Sequence, residues 1–271
     1  MEPRERPPGT RTAGIADDRP GGENTRMSVN LRQYFAADWQ GPPFQLFGTG
    51  HLIALALLCL LALSLLRLRG QPMAIRRRLR IGLALTMAAG ELSWHVWEVA
   101  SFHVWPLDAM LPLHLCTALA WLAMYTLLTL DTIAFDFIYF FGIGGPLQAI
   151  LTPDAGKYGL PHFRAVQTLT SHSLLIIAAL YLTLVEGLRP TPRSIPRVIL
   201  GMLAYMAAVT VVNVATGGDY MFTLRKPPTA SVLDALGPWP VYLLPMIGLG
   251  ILNVLLLYLP FAWIDRRKAR R

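Results

Sequence analysis

Seven apolar runs, each close to 20 residues long, dominate this sequence. A helix needs about 20 residues to cross a bilayer core of ~30 Å, where it satisfies its own backbone hydrogen bonds. The predicted spans are residues 47–66, 81–100, 110–130, 133–152, 168–188, 196–215 and 239–263. Only 15% of the residues are charged, and mean hydropathy is +0.45, which excludes an ordinary soluble domain. The sequence therefore predicts an all-α fold, a polytopic membrane bundle of seven transmembrane helices.

The chain outside these runs is short and polar. Residues 1–26 are rich in Pro, Gly, Arg and acidic residues, a composition typical of disordered segments, and they lack the apolar centre of a cleavable signal. Met27 opens a more ordinary sequence and is a second candidate for the start of translation. We predict a disordered tail over 1–26, an external segment over 27–46, a membrane domain over 47–263 and a basic cytoplasmic tail over 264–271.

Basic residues are concentrated in alternate connections between the runs. The connections after the first and fifth runs and the C-terminal tail hold 14 Lys and Arg, against four in the other loops. Because basic loops stay in the cytoplasm, we expect a cytoplasmic C-terminus and an external N-terminus. Anionic lipid headgroups account for the net charge of +8 without a nucleic-acid partner. The predicted location is the cell membrane, as a multi-pass protein of the kind found in the bacterial cytoplasmic membrane.

All six histidines fall in the outer half of this topology. Polar side chains that converge on one level from several helices indicate a single site, open to the outer leaflet or the external space. His51, His103 and Asp108 lie near helix ends, and we interpret them as side chains in contact with interfacial water. The other histidines are His95, His114, His162 and His172.

The segment "GELSWHVWE" places Glu91, His95 and Glu98 on one helix face, within ~60° of one another. A carboxylate facing lipid costs ~2.5 kcal/mol or more, so this face is expected to point into the bundle. Either a structural hydrogen-bonded network or a functional site would explain it.

The two cysteines lie in different settings. Cys59 is surrounded by aliphatic residues and is interpreted as a small hydrophobic side chain. Cys116 shares the outer half of the bundle with the histidines, where an imidazole could generate a thiolate nucleophile, although a packing role is equally compatible with its spacing. His114, two residues away, points to nearly the opposite side of the helix, so a base must come from another helix.

His172 is the best candidate for that base, although a buried, hydrogen-bonded histidine is the structural alternative. Before it, Gly144, Gly145 and Pro146 are expected to interrupt the fourth span, as is tolerated beside a cavity. The candidate contacts for a phosphate or carboxylate headgroup are His162, Arg164, Arg225 and Lys226.

Four blocks of this sequence, "LPLHLC", "GGPLQAILTPD", "LPHFRAVQTLTSHS" and "GGDYMFTLRKPPTASVLDALGPWPVY", resemble the signature blocks of the YwaF-like integral membrane proteins. The resemblance extends over residues 34–263. That family contains a vertebrate transmembrane protein implicated as an acyltransferase that moves polyunsaturated chains into ether phospholipids. The resemblance implies a seven-helix lipid-modifying enzyme in which Cys116 carries the acyl group and His172 is its base. Asp219 stands where the family pattern leads us to expect Asn.

The implied chemistry is transfer or hydrolysis of a phospholipid acyl chain through a thioester, with membrane phospholipids as partners and neither a cofactor nor a metal ion. Candidate oxyanion donors are His114, Asn213 and the Gly-rich loop, and the supporting residues are Glu91, His95 and Glu98. A zinc-dependent lipid hydrolase or amidase would instead use Glu91, His95, His114 and His172. A transporter or sensor would use the face of Glu91, His95 and Glu98 as a relay. The sequence leaves the oligomeric state open.

Overall fold

The computed structural model describes residues 31–153, 156–227 and 232–270. Within these ranges the chain forms eight α-helices and no β-strand. The helices are α1 Leu31–Tyr34, α2 Thr49–Ser64, α3 Met73–Phe102, α4 Leu115–Thr129, α5 Thr132–Leu151, α6 Phe163–Leu184, α7 Ser194–Thr216 and α8 Leu243–Ala269. Short 3-10 segments cover Leu65–Leu68, Tyr220–Phe222 and Val232–Leu236. The predicted disordered tail and the alternative start at Met27 lie outside the described residues.

Five helices are long and apolar enough to cross a membrane: α2 with its 3-10 extension, α5, α6, α7 and α8. Two further helices correspond to the remaining apolar runs. Helix α4 is apolar but has only 15 residues, and α3 has 30 residues but carries four Arg near its start. The chain is therefore a multi-pass membrane protein with an all-helical fold, whereas the count of seven spans and the orientation stay predictions.

Helix α3 departs most from its predicted boundary, because it starts at Met73 rather than at residue 81. Four of the Arg residues expected in a connecting loop, Arg76, Arg77, Arg78 and Arg80, thus lie on the first turns of a helix. Their side chains reach neighbouring elements, with Arg80 donating to the carbonyl oxygen of Leu127 at 3.1 Å and Arg76 to that of Val185 at 3.4 Å. A helix continues past the end of an apolar run where its polar side chains still find partners.

Ion pairs mark one end of the bundle, which we term the basic end. It contains the start of α3 and the end of α6, where Arg76 donates to Glu186 at 3.0 Å and the Nε of Arg80 lies 3.3 Å from Glu186. The pairs Arg197–Asp136, at 2.6 Å, and Arg189–Asp265, at 2.7 Å, join further elements there.

The opposite end, the histidine-rich end, anchors the segment before α2. Three consecutive carbonyl oxygens of that segment accept hydrogen bonds from side chains of the bundle. Trp97 donates to Phe35 at 2.8 Å, His162 to Ala36 at 3.0 Å and Tyr158 to Ala37 at 3.1 Å.

The interpretation of His51 as a side chain in contact with interfacial water is wrong, because His51 is fully buried. Its Nδ1 accepts from the N–H of Phe47 at 2.9 Å, and its Nε2 pairs with the carbonyl oxygen of Ile150 at 2.8 Å. The imidazole joins α2 to α5, so protein groups rather than water satisfy both ring nitrogens.

Helix α5 runs without a break through Pro146, so the predicted interruption of this span is wrong. A proline removes one backbone hydrogen bond, and packing against α6 and α8 holds the helix on either side of it. Gly144 serves another purpose. A Cβ there would lie 2.0 Å from the side-chain oxygen of Asn253 on α8, whose amide donates to the carbonyl oxygen of Phe140 at 2.8 Å. Gly144 therefore permits the close approach of α5 and α8.

Candidate functional site

A cavity of about 1140 Å³ lies among α3, α4, α5, α6, α7 and α8. One wall, from α3, α4 and α6, is polar. The facing wall, from α7, α8 and the loop that joins them, is largely apolar. The polar wall includes Glu91, His114, Cys116, Thr117, Arg164, Gln167, Thr168, Ser171 and His172, and the apolar wall includes Ile199, Met202, Leu203, Met206, Phe222, Met246 and Ile247. Such a cavity fits an amphiphilic molecule.

Cys116 and His172 both line this cavity, from two helices that pack against each other. Cys116 lies in the first turn of α4 and is partly buried. Cys59, by contrast, is exposed on the outer surface of α2 and lies away from the cavity. Cys116 and His172 thus share one cavity, and their pairing as nucleophile and base stays a prediction.

The backbone of α6 fixes the tautomer of neutral His172. Its Nδ1 lies 2.8 Å from the carbonyl oxygen of Thr168. A carbonyl oxygen only accepts, so Nδ1 carries the proton and Nε2 keeps a free lone pair. This is the tautomer that a general base in the cavity requires.

The loop between α7 and α8 gives His114 the opposite tautomer. His114 is the N-terminal capping residue of α4, and its Nδ1 accepts from the backbone N–H of Met221 at 3.4 Å. An Nδ1 that accepts leaves the proton of the neutral ring on Nε2. The polar wall thus carries one imidazole able to accept a proton and one able to donate a hydrogen bond.

Among the three residues of the α3 face, only Glu91 lines the cavity. Its side chain is buried, with 6% of the residue exposed, and it borders a smaller void beside Ser171. His95 and Glu98 are half-buried outside the cavity, and His95 packs against the ring of Trp94 with centroids 4.7 Å apart. The predicted inward orientation of this face therefore holds for Glu91, whereas His95 and Glu98 lie outside the cavity.

A ladder of polar side chains runs along α6 beside these groups. Arg164 donates to the side-chain oxygen of Gln167 at 3.1 Å, and the amide of Gln167 donates to Ser171 at 2.9 Å. The guanidinium of Arg164 also lies 5.5 Å from the ring of Trp94. Sequence reasoning missed Gln167, although its spacing of three from Arg164 and four from Ser171 places all three on one helix face.

Asn213 does not reach the cavity, contrary to its predicted role as an oxyanion donor. It is fully buried and donates to the carbonyl oxygen of Tyr220 and to Thr223, both at 2.9 Å, while accepting from the N–H of Tyr220 at 2.8 Å. With these bonds made, Asn213 holds the loop that presents Met221 to His114.

Three of the four headgroup candidates lie outside the cavity lining, and Arg164 alone belongs to it. His162 is buried, and its Nδ1 accepts from the N–H of Arg164 at 3.1 Å. Burial lowers the pKa of His162, which the hydrogen bond to Ala36 opposes, so a neutral structural role fits it. Arg225 donates to the carbonyl oxygen of Gly217 at 3.0 Å, and Lys226 lies 4.0 Å from Asp234.

Asp219 organises the same loop. Its Oδ1 accepts from the backbone N–H groups of Leu224, at 3.0 Å, and Arg225, at 3.2 Å. An Asn side chain could accept in the same way, so the departure at this position preserves the turn.

The four residues of the zinc alternative are not gathered into one group. Across the described ranges, no cluster of three or more His, Cys, Asp or Glu side chains is placed to share a metal ion. His95 lies apart from the cavity that Glu91, His114 and His172 line.

The comparisons with known proteins correct the family that the sequence blocks suggested. The sequence model of the TMEM164 family matches residues 46–258, and this is a different family from the YwaF-like proteins. Short apolar blocks with Gly and Pro occur in many membrane helices and did not distinguish the two. An uncharacterized protein of Treponema pallidum (strain Nichols) is 29% identical over 151 residues, which cover 56% of this chain and 62% of that protein. No solved structure matches the chain.

Proposed function

The chain belongs to the TMEM164 family, and we propose that it is a membrane enzyme that moves acyl chains of phospholipids through a thioester on Cys116. One observation carries the proposal: the cavity that holds Cys116 also holds His172, whose Nδ1 donates to Thr168 and leaves Nε2 as an acceptor. The apolar wall offers space for an acyl chain, and the polar wall offers donors for its ester.

The first half-reaction forms the thioester. Nε2 of His172 takes the thiol proton of Cys116, and the thiolate attacks the ester carbonyl carbon. The C–O bond then breaks, and His172 returns the proton to the leaving oxygen, which releases a lysolipid. The Nε2–H of His114 is the proposed donor to the oxyanion, a role that Asn213 cannot fill.

The second half-reaction returns the enzyme to its starting state. His172 removes a proton from the hydroxyl group of an acceptor lipid, whose oxygen attacks the thioester carbonyl. The C–S bond breaks, and the proton returns to the Cys116 sulfur. Water in place of the acceptor gives hydrolysis. We propose Arg164, the cation on the cavity wall, as the contact for the anionic headgroup.

The proposed setting is a seven-span topology, α2 to α8, with the histidine-rich end external in the cell membrane. The concentration of basic side chains at the opposite end supports it, since these favour the cytoplasmic side. The cavity would then serve the outer leaflet.

A trapped intermediate tests the thioester. Incubation of the purified protein with a phosphatidylcholine carrying an isotopically labelled acyl chain should leave that chain on the peptide containing Cys116, and neutral hydroxylamine should release it. Mass spectrometry of the digested protein measures both. Label that remains after hydroxylamine, or that lies on another residue, would contradict a thioester at Cys116.

Glu91 is expected to influence the reaction without being essential to the fold. Glu91→Gln keeps the shape of the side chain but cannot exchange a proton, so we expect turnover to fall by up to about 10²-fold with an altered pH dependence. Glu91→Leu should also disturb the packing beside Ser171. Glu98→Gln is the matched control, because Glu98 is on the same helix but outside the cavity lining. Wild-type turnover and thermal stability in both Glu91 variants would mean that this face is not part of the site.

A further inference from the structure

Two hydrogen bonds join α5 and α8 on the side toward the basic end. The hydroxyl group of Tyr139 donates to the carbonyl oxygen of Leu257 at 3.0 Å, and the amide of Asn253 donates to that of Phe140 at 2.8 Å. Gly144 lies against Asn253 at the last of these contacts. From the basic end up to Gly144, direct contacts therefore join the two helices.

One turn further toward the histidine-rich end, the antiparallel register brings Leu147 on α5 opposite Leu249 on α8. Both leucines line the cavity, and both remain exposed, by 44% and 46%. Leu151, the last residue of α5, is also both exposed and part of the lining. Side chains that line the cavity and yet keep more than two fifths of their surface accessible show that no other described element packs over them at this level.

The glycines nearby are consistent with open space at this level. A Cβ at Gly145, which lines the cavity, or at Gly248 would meet no atom within 4 Å. Packing therefore does not account for either glycine. Neither helix presents a charged side chain at this level, and both are apolar enough to span a membrane.

From this geometry we infer that the opening between α5 and α8, bordered by Leu147, Leu151 and Leu249, is a lateral portal through which a phospholipid of the surrounding bilayer inserts an acyl chain into the cavity. Its apolar border continues the exposed apolar surface of α8, where Leu252 and Leu256 follow Leu249. A chain passing this border stays in contact with hydrocarbon throughout, so entry requires no exposure of the chain to water. The reaction of the lipid inside the cavity rests on the proposed function, whereas the route by which the lipid enters does not.

The test uses photolabelling of the full-length protein in phosphatidylcholine vesicles that contain phosphatidylcholine with a diazirine in one acyl chain. In the wild-type protein, labelling is expected on peptides carrying Leu147 and Leu249 and on the cavity walls from Leu115 to Ala120 and from Gln167 to His172. The double variant Leu147→Trp, Leu249→Trp should obstruct the opening and reduce labelling of the cavity walls about tenfold, the effect of a barrier raised by ~1.4 kcal/mol.

The matched control is Ile133→Trp, Leu259→Trp, because both residues are exposed on the same two helices toward the basic end and do not line the cavity. It should leave cavity labelling at the wild-type level, and thermal stability of both double variants shows that each is folded. Equal cavity labelling in the two double variants would overturn the portal. A second result would also overturn the portal: label on the cavity walls and on the loop at Met221 and Phe222, with no label at Leu147 or Leu249.

Failure of the portal and failure of the proposed chemistry give different results. Photolabelling needs no reaction at Cys116, so Cys116→Ala should take up label like the wild-type protein. Acylation of Cys116 with unaltered cavity labelling in the Leu147→Trp, Leu249→Trp variant would remove the portal and leave the thioester. Loss of labelling in that variant, with full lipid remodelling by Cys116→Ala, would leave the portal and remove the thioester.

Discussion

Cys116→Ala is expected to reduce acyl transfer by roughly 10³-fold or more, since removing a covalent nucleophile leaves only binding and oxyanion contacts to assist the reaction. The substitution removes a small side chain at a cavity wall, so the fold should persist. The measurement is the rate at which labelled acyl chains move between phospholipids in vesicles containing the purified protein.

The second cysteine provides the control for this experiment. Cys59→Ala alters an exposed side chain on α2, away from the cavity, and should retain full activity. Cys116→Ser nearly preserves the shape of the side chain, but its hydroxyl group is a far weaker acid than a thiol, so we expect correct folding and poor turnover. Wild-type acyl transfer by Cys116→Ala would end the covalent mechanism.

The helices of this protein follow largely from the distribution of apolar residues, because a bilayer imposes both their length and their hydrogen bonding. The predicted boundaries fail where other contacts decide. Helix α3 continues over its Arg residues because they form ion pairs with Glu186 and a hydrogen bond to the carbonyl oxygen of Leu127. Helix α5 continues through Pro146 because its neighbours support it. Both outcomes depend on residues far away in the sequence.

The candidate site, too, could be predicted from the sequence only in part. Depth along the predicted spans placed Cys116 and His172 at a similar level, and both line the cavity, whereas their roles as nucleophile and base stay predictions. The tautomers of His172 and His114 were not predictable, because they depend on backbone groups of Thr168 and Met221. The side-chain amide of Asn213 is a suitable donor to an oxyanion, and only its contacts with the folded loop reveal a structural role.

Glu186 was not singled out by sequence reasoning, yet it is central to the basic end. Its carboxylate, with a side chain 5% exposed, receives Arg76 at 3.0 Å, Arg80 at 3.3 Å and the hydroxyl group of Tyr181 at 3.2 Å. Glu186→Ala would leave two guanidinium groups with little water and no counter-charge. We expect a loss of about 3–5 kcal/mol in the free energy of unfolding, the usual effect of removing one member of a buried ion pair.

Thermal or denaturant unfolding in detergent measures this loss, and the exposed pair Arg189–Asp265 gives the matched control. That pair has a shorter contact, 2.7 Å, but its side chains are 38% and 43% exposed. Water screens such a pair, so Asp265→Ala should cost no more than about 1 kcal/mol. Glu186→Gln keeps one acceptor oxygen without the charge and should fall between the two. If Glu186→Ala and Asp265→Ala lowered stability equally, burial would not be what makes Glu186 important, and the two carboxylates would be interchangeable anchors for basic side chains at the membrane surface.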